Sequence, residues 1–232
     1  MIRLAGVCKT LRGIAVLDRV DLEVPDRVVT AILGPSGVGK SVLLRTMAGL
    51  MEPDEGEVLY DDRPMRFGLF ADNGGLTGGI GYVFQGGALF DSMTVAENVA
   101  LPLEETLRHG RADVRRRVAD ALETVGMERN AGLTPSQLSG GMTRLVAIAR
   151  AIVTDPKYYF LDEPTTGLDP AIAERIIALI RRLRDELGRT VVLVTHDLPA
   201  ARAVADRLFL LRAGRLEPAD QVYKEDYAQA HP

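Results

Sequence analysis

The sequence has little cysteine, little net charge and no broad basic region. Its single thiol, Cys8, cannot form an internal disulfide, and a chain of 232 residues buries enough apolar surface to fold without one. The formal net charge is only -4, with 28 basic and 32 acidic residues. Because nucleic-acid-binding proteins usually carry a concentrated positive surface, this balance argues against a nucleic-acid partner.

Long hydrophobic segments are also missing. No run approaches the roughly 18 apolar residues that a membrane-spanning helix needs, and the first 20 residues lack the layout of a signal peptide. We therefore expect a cytoplasmic chain that reaches any membrane through a partner. The composition, 47% hydrophobic and 26% charged, is typical of a globular chain of one or two domains.

Short β-branched runs alternate with helical periodicity, which predicts an α/β protein with a mainly parallel sheet. Strands are predicted at 28–33, 81–84, 158–161, 191–194 and 207–211, preceded by two antiparallel strands at 2–7 and 20–24. Helices are predicted at 41–50, 94–104, 111–125, 141–152 and 170–187. We expect an inserted helical subdomain at about 86–152 within a core of 1–85 and 153–217. A glycine-rich mobile loop is expected at 63–79, and a C-terminal tail at 218–232.

A glycine-rich motif follows the strand predicted at 28–33 and precedes a helical pattern. It matches the phosphate-loop pattern G-x-x-x-x-G-K-[ST], with the residues Gly34, Pro35, Ser36, Gly37, Val38, Gly39, Lys40 and Ser41. Glycines let backbone amides converge on a phosphate, and the following helix adds its positive N-terminal end. Lys40 is expected to meet the β- and γ-phosphate oxygens, and the Ser41 hydroxyl to ligate Mg²⁺.

Two adjacent carboxylates end the apolar strand predicted at 158–161, and strand alternation points them in different directions. Asp162 is expected to hold Mg²⁺ beside Ser41, while Glu163 faces the γ-phosphate and polarises an attacking water as a general base. Acidic residues at strand ends are often only turn formers. Their combination with a phosphate loop is what indicates catalysis.

A second anion-binding helix start is predicted at Ser139, Gly140 and Gly141, which precede the helix at 141–152. One chain then carries two phosphate-facing sites. The simplest use of both is a head-to-tail pair of chains, in which the serine–glycine turn of one chain completes the phosphate loop of the other.

These motifs resemble those of ABC transporter ATPases over about residues 1–217. Residues 138–141 match the family's signature motif, with Met142 where glutamine is usual, and Gln85 matches its Q-loop. Asp169 falls in the match to its D-loop, and His196 matches its switch histidine. The resemblance implies a P-loop NTPase core of the RecA-like type, an antiparallel β subdomain, and ATP and Mg²⁺ as cofactors.

The same resemblance implies roles for the matched residues. Gln85 would sense Mg²⁺ and water, Asp169 would belong to the nucleotide-binding residues, and His196 would contact the γ-phosphate and stabilise developing charge. ATP would be bound between two copies of the chain, whose closing and opening drive an integral-membrane permease. The chain would then lie peripherally on the inner face of the cell membrane. Leu11 stands where the family usually has an aromatic residue that stacks on adenine.

Within the family, the segment 84–103 together with Met142 resembles the Mla-type branch. That resemblance implies a phospholipid or other hydrophobic cargo and an MCE-type lipid-binding protein as a further partner. Two alternatives remain open at this stage. One is the ATPase of another ABC system, such as an importer or a lipoprotein-release system, and the other is a regulatory ATPase of the cell-division type.

Overall fold

Strands of the chain form two sheets in the computed structural model, which describes residues 1–67, 79–105 and 110–219. The strands are β1 (Ile2–Leu11), β2 (Ile14–Val24), β3 (Val29–Leu33), β4 (Glu55–Tyr60), β5 (Arg63–Pro64), β6 (Ile80–Val83), β7 (Tyr158–Asp162), β8 (Thr190–Thr195), β9 (Arg207–Arg212) and β10 (Arg215–Pro218). The helices are α1 (Lys40–Met47), α2 (Val95–Glu105), α3 (Arg111–Thr124), α4 (Gly140–Ile152), α5 (Pro170–Asp185) and α6 (Leu198–Val204).

The larger sheet has the strand order β10-β9-β3-β8-β7-β6. Its strands are parallel except for β10, which pairs with β9 in the antiparallel direction. Every residue of β3, β7 and β8 is buried, as expected of parallel strands that are covered on both faces. The carboxyl ends of these strands and of β6 meet at one edge, and the phosphate loop, Gln85, Glu163 and His196 follow those strand ends.

The smaller sheet is antiparallel, with the order β2-β1-β4-β5. Residues of β3 alternate between the two sides of the larger sheet. Val29, Ala31 and Leu33 join a hydrophobic cluster with α2–α5, whereas Ile32 packs into a second cluster with α1 and the smaller sheet. A mainly parallel sheet, an antiparallel sheet and a group of inserted helices therefore confirm the predicted fold class.

Element boundaries differ from the sequence-based expectations where the local pattern is weak. β1 continues to Leu11, and β2 already begins at Ile14. The sequence pattern missed these residues because register shifts between the two strands interrupt the alternation of apolar residues. β4, β5, β10 and α6 were not predicted. The first three residues of β4 are exposed, and only Ala201 and Val204 of α6 are buried, so neither element has a clear apolar pattern.

The helix predicted at 170–187 ends earlier than expected. It stops at Asp185, and Leu187, within the predicted span, is 46% exposed. Three helices, α2, α3 and α4, lie within the span proposed for the helical subdomain, and the domain boundaries themselves stay a prediction. Regular structure continues through Pro218, the first residue of the predicted tail.

Residues 68–78 of the predicted glycine-rich loop and residues 220–232 of the predicted tail lie outside the described residues. Across the described ranges, no helix combines the length and the apolar character needed to cross a membrane.

Candidate nucleotide-binding site

The loop between β3 and α1 leaves backbone amides available for an anion. Gly39 occupies the N-cap position of α1 with a φ of 112°, and no side chain caps the helix there. A Cβ atom at Gly39 would lie 2.6 Å from Cγ1 of Val16, so the loop requires glycine on both conformational and steric grounds. An uncapped helix start that follows a glycine-rich turn is suited to bind phosphate.

Lys40 connects this loop to the end of β7. Its side chain is only 5% exposed, and Nζ donates to the carbonyl oxygens of Gly34 at 2.8 Å and Pro35 at 3.1 Å. The same nitrogen lies 3.1 Å from Oε1 of Glu163. The predicted phosphate-binding cation and the predicted general base are therefore direct neighbours.

Ser41 and Asp162 form a second link across the same edge. The Ser41 hydroxyl donates to Oδ1 of Asp162 at 2.9 Å, and Asp162 is almost completely buried. Burial raises the pKa of Asp162, although the Ser41 hydrogen bond and the positive charge of Arg45 act in the opposite direction. A positive charge placed beside this carboxylate would offset the cost of burying it.

Glu163 is the most constrained of the predicted residues. Its Oε2 accepts hydrogen bonds from the Thr166 hydroxyl at 2.6 Å and the Thr195 hydroxyl at 3.0 Å, and it lies 3.1 Å from Nδ1 of His196. Burial alone would raise the pKa of Glu163, but hydrogen bonds from Thr166, His196 and Lys40 outweigh it and lower the pKa. The carboxylate is therefore kept ionised and oriented.

Sequence reasoning did not single out Thr166 and Thr195. A signal was present, since Thr195 directly precedes His196 and Thr166 lies three residues after Glu163. Threonine is common in β-strands and turns, however, and nothing local shows that either hydroxyl points at a carboxylate.

Gln85 and His196 lie at the same edge of the larger sheet. Gln85 is exposed two residues after Val83, whose Cα partner across the parallel pair is Leu161 of β7. His196 follows β8, and its side chain is 48% exposed next to Glu163. Both residues can therefore face a ligand that lies over the carboxyl ends of the strands.

Ser139, Gly141 and Asp169 form a separate group. Ser139 caps α4 by accepting from the amide of Met142 at 3.3 Å, and Asp169 caps α5 by accepting from the amide of Ile172 at 3.1 Å. The two helix starts are neighbours, since a Cβ atom at Gly141 would lie 3.2 Å from the Ile172 side chain.

Ser139, Gly140 and Asp169 are exposed. Within the described part of the chain, no hydrogen bond or ion pair joins them to Lys40 or Glu163. The structure thus brings the phosphate loop, Asp162, Glu163 and His196 together, and it leaves the serine–glycine turn and Asp169 on their own surface. Leu11 ends β1 and is partly exposed.

The residues present fit a Mg²⁺ ion bound together with phosphate. Among the described residues, no group of three or more His, Cys, Asp or Glu side chains is arranged to hold a metal ion by itself. Mg²⁺, however, usually takes only one or two protein ligands and completes its shell with water and phosphate oxygens. Ser41 and Asp162, 2.9 Å apart, supply such a pair.

Comparisons with known proteins agree with this geometry. The family model described as "ABC transporter" matches residues 17–166. Over 215 residues the chain is 42% identical to the sulfate/thiosulfate import ATP-binding protein CysA of Caulobacter vibrioides, covering 89% of this chain and 61% of that protein. Over 202 residues it is 44% identical to the methionine import ATP-binding protein MetN 3 of Pseudomonas fluorescens, covering 87% and 62%. The chain thus spans about three fifths of the length of these curated relatives.

A solved structure is similar over almost the whole chain. It is a dimeric ATP-binding cassette in a post-hydrolysis state, bound to ADP and Pi, with 37% sequence identity and a TM-score of 0.84. The similarity covers 94% of this chain and 98% of that one. The fold is therefore that of a P-loop nucleotide-binding cassette.

Proposed function

The chain belongs to the ABC transporter family and is an ATPase cassette of that family, and we propose that it is the ATP-binding subunit that drives a membrane transporter. The observation that carries this proposal is the pair of short contacts at one sheet edge. Lys40 lies 3.1 Å from Glu163, and Ser41 lies 2.9 Å from Asp162. These contacts support a single site for phosphate binding, metal binding and base chemistry.

Each residue of the proposed site has a separate role in ATP hydrolysis. The amides of residues 34–39 and the Lys40 ammonium bind and orient the phosphates, and Ser41 with Asp162 would hold Mg²⁺, which supplies positive charge at the phosphate oxygens. Glu163 accepts the proton of the attacking water as that water adds to the γ-phosphorus, and ADP and inorganic phosphate are the products. Gln85 orients the water, and His196 donates to the γ-phosphate.

A second copy of the chain completes this site. Among the described residues, no hydrogen bond joins Ser139, Gly140, Gly141 or Asp169 to the phosphate loop of the same chain. Ser139, Gly140 and Asp169 are exposed to solvent. An exposed pair of helix starts can bind the phosphates of a nucleotide held by another chain. The similar solved cassette is itself dimeric.

The transport partner is an integral-membrane permease, and import of a small solute is the favoured task. The two relatives reported above are named for the import of sulfate or thiosulfate and of methionine. Phospholipid cargo and an MCE-type partner rest only on the residue pattern of 84–103 with Met142, and these relatives do not support them. The importer alternative is therefore preferred to the Mla-type branch.

Phosphate release from Mg²⁺-ATP tests the activity. We expect turnover by the unaltered chain, and we expect Glu163→Gln to slow it by on the order of 10²- to 10⁴-fold, because a positioned base is lost. Glu123→Gln, an exposed residue near the end of α3, is the matched control and should leave turnover unchanged. Near-normal turnover in Glu163→Gln would remove Glu163 from the mechanism.

Identification of the partner and the cargo requires the intact membrane complex. We expect its purification, followed by mass spectrometry of the subunits and co-extracted molecules, to yield a permease and a small polar solute. Recovery of an MCE-type protein with bound phospholipid would contradict the import proposal and restore the Mla-type branch.

A further inference from the structure

Arg144 of α4 is a buried arginine that takes no part in the site as described so far. It is 7% exposed, and within the described ranges the structure gives it no ion pair. Its Nη1 lies 3.1 Å from the carbonyl oxygen of Glu163, 3.3 Å from that of Asp162 and 3.4 Å from that of Phe84. Since a guanidinium stays charged in proteins, a full positive charge is buried against three backbone carbonyls.

The three carbonyls belong to two turns that are far apart in the sequence. One turn follows β7 and carries the two carboxylates, and the other follows β6 and leads into Gln85. The parallel pairing of β6 with β7 places these turns side by side, with Val83 opposite Leu161. Arg144 reaches both turns from a single helix.

A second arginine of α4 holds the continuation of the Gln85 segment. Arg150 donates through Nη1 to the carbonyl of Ala88 and through Nη2 to the carbonyl of Gly87, each at 2.7 Å. Residues 84–88 are therefore attached to α4 on both sides of Gln85. In the part of the chain that the structure describes, Arg150 makes no such contact with the turn after β7, which separates its role from that of Arg144.

The backbone at Glu163 needs support from its surroundings. Its φ of 48° lies in the left-handed region, which costs a residue other than glycine about 1–2 kcal/mol. The Glu163 amide donates to the carbonyl of Val194 at 2.9 Å, and the Glu163 carbonyl accepts from Arg144. Both backbone groups are thus held, and the direction of the carboxylate follows from them.

We propose that Arg144 is a positioning residue, which holds the turn at Glu163 and the backbone leading into Gln85 in one arrangement relative to α4. Movement of α4 is then transmitted to both residues together. The activity part of this inference rests on the proposed function, whereas the structural part does not.

Hydrogen–deuterium exchange without nucleotide tests the structural part. Arg144→Met should accelerate amide exchange in residues 84–88 and 163–166 relative to the rest of the chain, because the carbonyls lose their donor. Arg182→Met, which removes a half-exposed arginine paired with Glu186, is the control and should leave both segments unchanged. If Arg144→Met does not fold, Arg144→Lys serves for the same comparison, since the lysine side chain is shorter and its ammonium falls short of the position that Nη1 occupies among the three carbonyls. Exchange at the unaltered rate in both segments would overturn the proposal.

A double-mutant cycle tests the activity part. Arg144→Lys should lower kcat by roughly 10- to 100-fold, as expected of a misplaced base, while the Kd for ATP stays within about twofold because Arg144 contacts no phosphate-loop group. In the Glu163→Gln background, single-turnover hydrolysis should show a smaller loss from Arg144→Lys, because only the part that acts through Gln85 remains. An equal loss in both backgrounds contradicts action through Glu163. Failure of Glu163→Gln to slow the unaltered chain contradicts the proposed function instead, and hydrogen exchange then decides the role of Arg144.

Discussion

Glu163 illustrates how a single residue acquires a specific chemistry. Its backbone is held in a left-handed conformation, its carboxylate is nearly buried, and three neighbouring side chains other than Lys40 approach the same oxygen. Burial would favour the neutral acid, and the surrounding donors reverse that preference. The result is a carboxylate that is ionised and held in one direction, as the proposed general base requires, at a backbone cost that the rest of the structure offsets.

Removal of the Lys40 charge should weaken nucleotide binding. We expect Lys40→Ala to raise the Kd for ATP by roughly 10- to 100-fold, because charge-assisted hydrogen bonds to phosphate are lost. Isothermal titration calorimetry measures this change. Lys157→Ala, which removes a lysine of the surface ion pairs with Asp26 and Asp61, is the control. Retained affinity in Lys40→Ala would contradict the role of this residue.

The Thr166 hydroxyl should determine the pH below which kcat falls. It donates the 2.6 Å hydrogen bond that helps to lower the pKa of Glu163, so its loss in Thr166→Val raises that pKa. Glu163 is then protonated at a higher pH, and kcat falls earlier as the pH is lowered. Thr166→Ser keeps the hydroxyl and should behave as the unaltered chain does. A pH profile of kcat that is the same for the valine and serine variants would exclude this tuning.

At the scale of elements, the helix starts fall into two kinds. α4, α5 and α6 each begin with a side chain that accepts an amide hydrogen bond, from Ser139, Asp169 and Asp197. α1 begins with Gly39, which has no side chain to offer. Its first amides therefore remain available to a ligand, which is why the strand–loop–helix unit around β3 and α1 can bind phosphate.

The exposed start of α4 should matter for association and not for folding. A Cβ atom at Gly140 would meet no atom within 4 Å, so Gly140→Ala should leave the melting temperature nearly unchanged. If a second chain packs its nucleotide against this turn, the added methyl group obstructs it, and ATP-dependent dimerisation should weaken. Analytical ultracentrifugation with ATP measures the dimer fraction. Gly132→Ala, equally free of contacts, is the matched control, and an identical dimer fraction in both variants would exclude the proposed interface.

At the scale of the whole molecule, the chain presents two halves of the proposed site, and no hydrogen bond joins these halves among the described residues. One half is the phosphate loop with the carboxylates of β7, and the other is the pair of exposed helix starts at Ser139 and Asp169. A head-to-tail pair of chains is the symmetric arrangement that joins them, and it joins them twice.

Complementation between two impaired variants tests this arrangement. Lys40→Ala damages the first half and Gly140→Asp the second, so each variant alone should hydrolyse ATP poorly. A mixture should recover turnover, because a mixed dimer contains one site made of an intact phosphate loop and an intact serine–glycine turn. The chain that carries both substitutions, mixed with either single variant, is the control and should recover none. Absence of recovery in the mixture of single variants would contradict a shared site.

The sequence by itself determined the features that depend on neighbouring residues. The phosphate loop, the strand that ends in Asp162 and Glu163, and the long helix from Pro170 are all visible in local patterns, because glycine spacing, alternation and helical periodicity act over a few residues. Elements with short or partly exposed patterns, such as β4 and α6, left no comparable signal.

Only the tertiary structure decided which groups surround the Glu163 carboxylate. Thr195 and His196 lie 32 and 33 residues after Glu163, and they meet it because β7 and β8 pair in parallel with Asp162 opposite Val194. Arg144 of α4 contacts the same turn, although it precedes Glu163 by 19 residues in the sequence. Strand register and helix packing depend on the whole core, so no local pattern could have shown that these side chains share one buried oxygen or one turn.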